Sequence, residues 1–171
     1  MTLTATQVDT LKARAHDERR RDAYPADFPD LPPVPARRYS DPAFAQLERD
    51  HVFGRSWLMV AHTDQVREPG DYVLVDHLRI PLIVVRDRDG TIRAHANTCK
   101  HRGAALLTDP SGNTGRRMTC PYHSWSYDLG GTLVGYPDAD NFRELDPGCV
   151  ALTSVRCETW GPMVFVNLDP E

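Results

Sequence analysis

Asn97-Thr98-Cys99-Lys100-His101-Arg102-Gly103-Ala104 and Cys120-Pro121-Tyr122-His123-Ser124-Trp125-Ser126-Tyr127-Asp128-Leu129-Gly130-Gly131 decide how this chain is read. Each stretch offers one Cys followed closely by one His, and 18 residues separate His101 from Cys120. Cys99, His101, Cys120 and His123 therefore form a four-donor metal site carried on two loops. Thiolate with imidazole suits zinc or an iron–sulfur cluster, so donor chemistry alone leaves both open. Spacing separates them, because zinc-finger loops tend to pair Cys with Cys and His with His. A loop that offers one of each reaches both metals of a two-iron cluster with cysteines on one iron and histidines on the other.

Around these loops the apolar residues follow a strand period. Trp57–Val60, Tyr72–Val75, Pro81–Val85, Ile92–Ala96, Leu152–Cys157 and Met163–Asn167 are each short and rich in β-branched or aromatic residues. Asp89-Gly90 between two such runs predicts a hairpin turn, and Gly130-Gly131 between Tyr127 and Leu133 a second. Short strands punctuated by turns predict a mainly β fold, a small antiparallel barrel or sandwich. Ser111-Gly112-Asn113-Thr114-Gly115-Arg116 reads as a surface loop ahead of a strand. It is no phosphate cradle, since it lacks the terminal Lys-Ser/Thr and the following helix.

The 171 residues suffice for one hydrophobic core with an extra arm, not comfortably for two cores. Thr6–Asp22 is rich in helix formers with only a thin apolar stripe of Val8, Leu11 and Ala15, which predicts a solvated helix. Acidic residues flank Arg19-Arg20-Arg21, so that run reads as part of the same solvated face. Prolines at 25, 29, 32, 33 and 35 predict an extended connector. Ser40-Asp41-Pro42 then supplies an N-cap, an acidic first-turn residue and an early proline for a helix of about three turns. The expected division is an arm and connector over residues 1–39 and a β domain over 40–171.

A net charge of -4 speaks against a nucleic-acid or acidic-membrane partner, which needs a surplus of Lys and Arg. No apolar run approaches the roughly 20 residues that span a bilayer, and the first 21 residues are polar. The expected compartment is cytoplasmic, where the four cysteines need not pair. Cys149 and Cys157 read as a loop thiol and a packed strand thiol. His16, His51, His62, His77 and His95 read as structural or solvent-facing, and Trp57, Trp125 and Trp160 as core, with Trp125 near enough to His123 to shield a metal from water.

The two loop stretches, with Val155-Arg156-Cys157-Glu158-Thr159-Trp160-Gly161 and Val164-Phe165-Val166-Asn167-Leu168, resemble the Rieske proteins over about residues 40–171. Within them they resemble the N-terminal domain of aromatic-ring-hydroxylating oxygenase α subunits. The resemblance implies a Rieske [2Fe–2S] cluster with Cys99 and Cys120 on one iron and His101 and His123 on the other. It implies one-electron transfer from a ferredoxin or reductase to a mononuclear Fe(II) in a following catalytic domain, itself absent from these residues, and it implies trimers. The oxygen-activating site is then missing from this chain, and neither a catalytic residue nor an organic substrate is read from it. The alternatives are a free-standing Rieske ferredoxin, for which the arm is superfluous, and a zinc-stabilised binding module, which leaves the aromatic and glycine residues around both loops without a reason.

Ser124 stands where the family usually has Gly, which a small residue tolerates if the backbone there does not need φ > 0. Ala104 and Tyr122 occupy the positions of the clamp disulfide of respiratory Rieske proteins, and Trp125 that of their sulfur-bonding Ser. Fewer hydrogen bonds to sulfur imply a potential toward the low end for such centres, roughly -150 mV. Two exposed histidine ligands imply a pH-dependent potential. Arg102 has two readings, as a charge that guides a redox partner or as an ion pair that fixes its loop.

Overall fold

The computed structural model describes residues 3–25 and 27–170; Met1 and Thr2 of the expected arm, Ala26 of the connector and the terminal Glu171 lie outside the described residues. The chain divides into two compact units, one running to Arg38 and one beginning at Tyr39.

The first unit carries α1 (Ala5–Arg19), which has no buried residue. Thr4 caps it with Gln7 in a reciprocal capping box. The helix stops three residues short of the expected Asp22. Beyond it Tyr24 stacks on Phe28 at 4.6 Å, and the proline-rich stretch to Pro35 has no regular structure.

The second unit opens with α2 (Pro42–Glu48), capped by Asp41 rather than by the expected Ser40. Pro42 explains the shift, since proline is suited to the first helical position and the residue before it takes the cap. A wider turn, Arg49–Phe53, prolongs the helix.

The rest is antiparallel β. Seven strands, β1 (Leu58–His62), β2 (Asp71–Val75), β3 (Leu82–Arg86), β4 (Ile92–Ala96), β5 (Ser111–Asn113), β9 (Ser154–Trp160) and β10 (Met163–Asn167), form one sheet in the order β1-β10-β9-β4-β3-β2-β5. Three short strands, β6 (Arg117–Thr119), β7 (Ser126–Asp128) and β8 (Leu133–Gly135), form a second. Both hairpins are present. Gly90, at φ +84, turns β3 into β4, and Gly131, at φ +94, turns β7 into β8. Part of the expected 111–116 loop is instead the edge strand β5, paired to β2. Asn113 Nδ2 holds it there through Asp71 Oδ1 at 2.7 Å and the Pro69 carbonyl.

Strand alternation builds two cores on the two faces of β3. Ile83 and Val85 face the core that contains Cys99, Cys120, Trp125 and Tyr127, while Leu82 and Val84 face the core of Val66, Ile92, Val164 and Val166. Burial on both faces is why β3 reads as an unbroken apolar run. Among the described residues no helix is long and apolar enough to cross a membrane.

Candidate metal centre

The first loop leaves the end of β4 and is tied at its base by Asn97. Its side-chain oxygen accepts from the backbone N–H of Leu106 at 2.9 Å and of Leu107 at 3.0 Å, and its amide donates to the Leu107 carbonyl at 2.8 Å. The second loop joins β6 to β7. The same two backbone bonds close both loops. Cys99 N–H donates to the Ala104 carbonyl and Cys120 N–H to the Trp125 carbonyl, each at 2.8 Å and five residues on. Gly103 N–H donates back to the Cys99 carbonyl at 2.9 Å and Ser124 N–H back to the Cys120 carbonyl at 3.0 Å, each from four residues on.

This shared closure dictates the backbone at the fourth residue. Gly103 has φ +73, and Ser124, at the matching place, has φ +58. The condition under which a small side chain is tolerated at 124 is therefore not met: the backbone there is left-handed, as a glycine would favour.

Cys99 and Cys120 are both 2% exposed and lie in the same core, near enough that Cys120 helps to raise the Cys99 pKa. The His101 and His123 rings meet edge-on, with centroids 4.7 Å apart. His101 Nδ1 is buried without a hydrogen-bond partner. Burial, with the charges of His123 and Arg102, lowers the His101 pKa and so favours the neutral ring, the form in which an imidazole nitrogen can ligate a metal. Both rings are half-buried, less open than the exposed imidazoles expected from sequence, because His101 stacks on Trp125 and His123 lies against Tyr122.

The donor set is thus two adjoining thiols and two adjoining imidazoles. Among the described residues no three His, Cys, Asp or Glu side chains are grouped to hold one metal ion. A two-iron cluster, with sulfur donors at one metal and nitrogen donors at the other, fits this arrangement better than a single tetrahedral zinc. An orphaned buried nitrogen is the type of atom that a metal satisfies.

Tyr127 is a functional residue that reading by motif alone passes over. It is fully buried, accepts from Lys100 N–H at 3.0 Å and sits 3.3 Å from Cys99 Sγ. Since its oxygen already accepts from Lys100, its own hydrogen is free for the sulfur, and burial pushes its pKa far up, so the phenol keeps that hydrogen. Burial raises the Cys99 pKa, and the Tyr127 hydrogen bond opposes that shift. The low-potential expectation omits this one sulfur hydrogen bond. A buried Tyr hydroxyl usually finds a hydrogen-bond partner, which was the available signal.

The remaining candidates lie elsewhere. His95 is buried and bonds the Leu129 carbonyl through Nε2 at 3.0 Å, and His62 caps the turn Thr63–Gln65. Cys149 and Cys157 are free thiols. Trp125 is core, as expected, whereas Trp57 and Trp160 are exposed. Arg102 stands exposed on the rim of a cavity of about 370 Å³ at the loop tips.

A family model described as the Rieske [2Fe-2S] domain matches residues 56–156. The chain is 38% identical over 137 residues to the benzene 1,2-dioxygenase α subunit of Pseudomonas putida, covering 80% of this chain and 30% of that protein. It is 36% identical over 137 residues to the carnitine monooxygenase oxygenase subunit of Escherichia coli, covering 80% of this chain and 36% of that one. The chain therefore spans about a third of the length of the curated relatives it matches. Among solved structures, naphthalene 1,2-dioxygenase from Rhodococcus sp. superposes with a TM-score of 0.76 at 32% identity, covering 99% of this chain and 37% of that one. A quaternary ammonium Rieske monooxygenase solved with L-carnitine gives 0.73 at 30% identity, covering 79% and 38%.

Proposed function

Because the chain belongs to the Rieske [2Fe–2S] family, we propose that it passes single electrons as the N-terminal domain of an oxygenase α subunit of the ring-hydroxylating type. Cys99 and Cys120 hold one iron and His101 and His123 the other. When bound, the cluster supplies reversible one-electron transfer at nearly fixed geometry. The observation that carries this reading is the pair of loops closed by the same two backbone bonds, which set two buried thiols beside two imidazoles.

The chain's own residues prepare the site. Asn97 ties the first loop so that Cys99 enters the core rather than solvent. Tyr127 directs its hydrogen at Cys99 Sγ and steadies negative charge on sulfur. Trp125 covers one face of His101 and so holds the plane of that ring. Residues 40–171 form the electron-transfer domain, and residues 1–39 an arm and connector that serve assembly. Electrons enter from a ferredoxin or reductase and leave for a mononuclear iron in an oxygenase catalytic domain, on the same or a neighbouring subunit of a trimer.

The test is spectroscopic. Protein purified anaerobically is compared before and after dithionite by visible absorption and electron paramagnetic resonance, with metal analysis alongside. The expected result is a reducible chromophore with the low average g value of mixed His/Cys ligation, and iron as the metal. A colourless, silent protein with one zinc per chain would overturn the reading.

A further inference from the structure

We propose that Phe142 is a positioning residue for the metal centre, an aromatic shutter that fixes the His101 ring and keeps water from the buried sulfur side. The inference rests on the reading that His101 is a metal ligand.

Four rings meet at this point. Trp125 stacks on His101 at 4.8 Å with 8° between the planes. Phe142 stands edge-on to both, 5.9 Å from His101 and 5.6 Å from Trp125, and Tyr136 closes the group 5.7 Å from Phe142. Trp125 alone leaves the His101 ring free to slide in its own plane, because a stacked face resists tilt more than translation. The perpendicular Phe142 edge opposes that second motion, together with His123, which meets the ring edge-on at 4.7 Å. Edge-to-face contacts at these distances are favourable beyond area burial, enough to favour one ring position.

Phe142 also divides two environments. It lines the cavity of about 370 Å³ whose rim carries Arg102, Ser124, Asp138 and Asn141. It packs as well on the core that contains Cys99 and Cys120, as Leu145 and Val150 do. No strand delivers it there. It ends the 3-10 turn Ala139–Phe142, whose N-cap Asp138 has a left-handed φ of +56. Ser124 and Asp138 are the non-glycine residues with positive φ among those described, and both line this cavity. Strained backbone persists where its surroundings demand it. Here the turn at Asp138 brings Phe142 back over the loop.

The consequence is electrostatic. Taking up one electron adds one negative charge to a site whose thiolates are buried, and an apolar wall disfavours that added charge relative to water. Opening the wall should therefore favour the reduced state. In Phe142→Ala the reduced-to-oxidised ratio at a fixed solution potential should rise about threefold, which at 59 mV per decade for one electron is about 28 mV. Deuteron modulation in pulsed electron paramagnetic resonance, recorded in D2O, should rise in parallel as water approaches. Phe142→Leu, which keeps apolar bulk but loses the ring edge, should fall between.

The holoprotein is titrated and its spectra recorded for wild type and both variants. A graded rise in the order wild type, Leu, Ala in both readouts supports the shutter. Unchanged potential and deuteron modulation in variants that keep the metal centre would overturn it; if the Ala variant does not retain the centre, the Leu variant decides alone. A wild-type protein without a reducible Rieske signal would instead defeat the proposed function.

Discussion

Ser124→Gly should stabilise this protein, and the amount can be worked from the loop geometry. Ser124 is exposed at φ +58, and its backbone bonds, N–H to the Cys120 carbonyl and its carbonyl accepting from Ser126 Oγ at 3.3 Å, survive the substitution. A left-handed conformation costs an ordinary L-residue about 1–2 kcal/mol. Glycine removes that cost but raises the entropy of the unfolded chain by about 0.4–1 kcal/mol. The difference is a net gain of about 0.5–1 kcal/mol, or about 1–4 °C in Tm for a chain of this size. Ser124→Ala keeps the Cβ and should melt with the wild type. Gly103→Ser is the converse at the matching place. A Cβ on Gly103 meets nothing within 4 Å, so the penalty there is backbone strain alone, and the variant should lose about what Ser124→Gly gains. The assay is circular dichroism melting of the four proteins at one scan rate, since loss of a bound metal group makes unfolding a comparison rather than an equilibrium. Equal stabilisation by Ala and Gly at 124, or a lower Tm for Ser124→Gly, would refute the strain argument.

Three further outcomes follow from the structure. Tyr127→Phe removes the hydrogen bond to Cys99 Sγ; if that bond favours the reduced site by about 1 kcal/mol, a mediated redox titration should find the potential about 40 mV lower, and an upward shift would contradict the donor assignment. His95 is 2% exposed, and burial holds its pKa below the usual 6.5 despite the Leu129 bond. Its neutral ring therefore contributes stability that is complete above about pH 6.5 and is lost as pH falls through the depressed folded value. Urea midpoints measured between pH 8 and 5.5 should fall more steeply for wild type than for His95→Gln, and parallel curves would count against it. Gly131→Ala sets a Cβ 2.9 Å from His95 Cε1 at φ +94, whereas Gly90→Ala, at φ +84, meets nothing within 4 Å. The second should cost about 1–2 kcal/mol from strain alone and the first clearly more, so similar losses of Tm would show that His95 yields.

The candidate donors were legible because they are four chemically unusual residues at short spacing, and the central strands because their apolar residues are consecutive and β-branched. Ile92–Ala96 and Met163–Asn167 begin and end where composition places them. What escaped depends on partners remote in sequence. Ser111-Gly112-Asn113 has no strand-forming composition and becomes β5 by pairing with β2, where Asn113 also bonds residues 42 and 44 positions away. Tyr127 reads as an ordinary strand aromatic until the first loop brings Cys99 and Lys100 against its hydroxyl, 28 and 27 positions away. Phe142 lies in a stretch with no period to read. The left-handed turn at Ser124 was half visible, since the motif marks the position as one for glycine, but its necessity comes from a ring of backbone bonds that no single residue announces.

That ring of bonds also explains why the centre is asymmetric although its two loops are closed alike. The closure fixes the Cys and the fourth and fifth residues after it, so both thiols enter the same core. The His lies two residues after Cys99 in one loop and three after Cys120 in the other. One position of offset rotates the side-chain direction, and the rings meet 76° apart rather than parallel. His101 is thereby turned onto buried Trp125, 4% exposed, while His123 lies 3.8 Å from Tyr122, 62% exposed. A wall on one imidazole and an open aromatic on the other give the two nitrogen donors unequal access to water. On the proposed ligation, changes to Trp125 or Phe142 should act through His101, and changes to Tyr122 through His123, with little coupling beyond the iron the two would share.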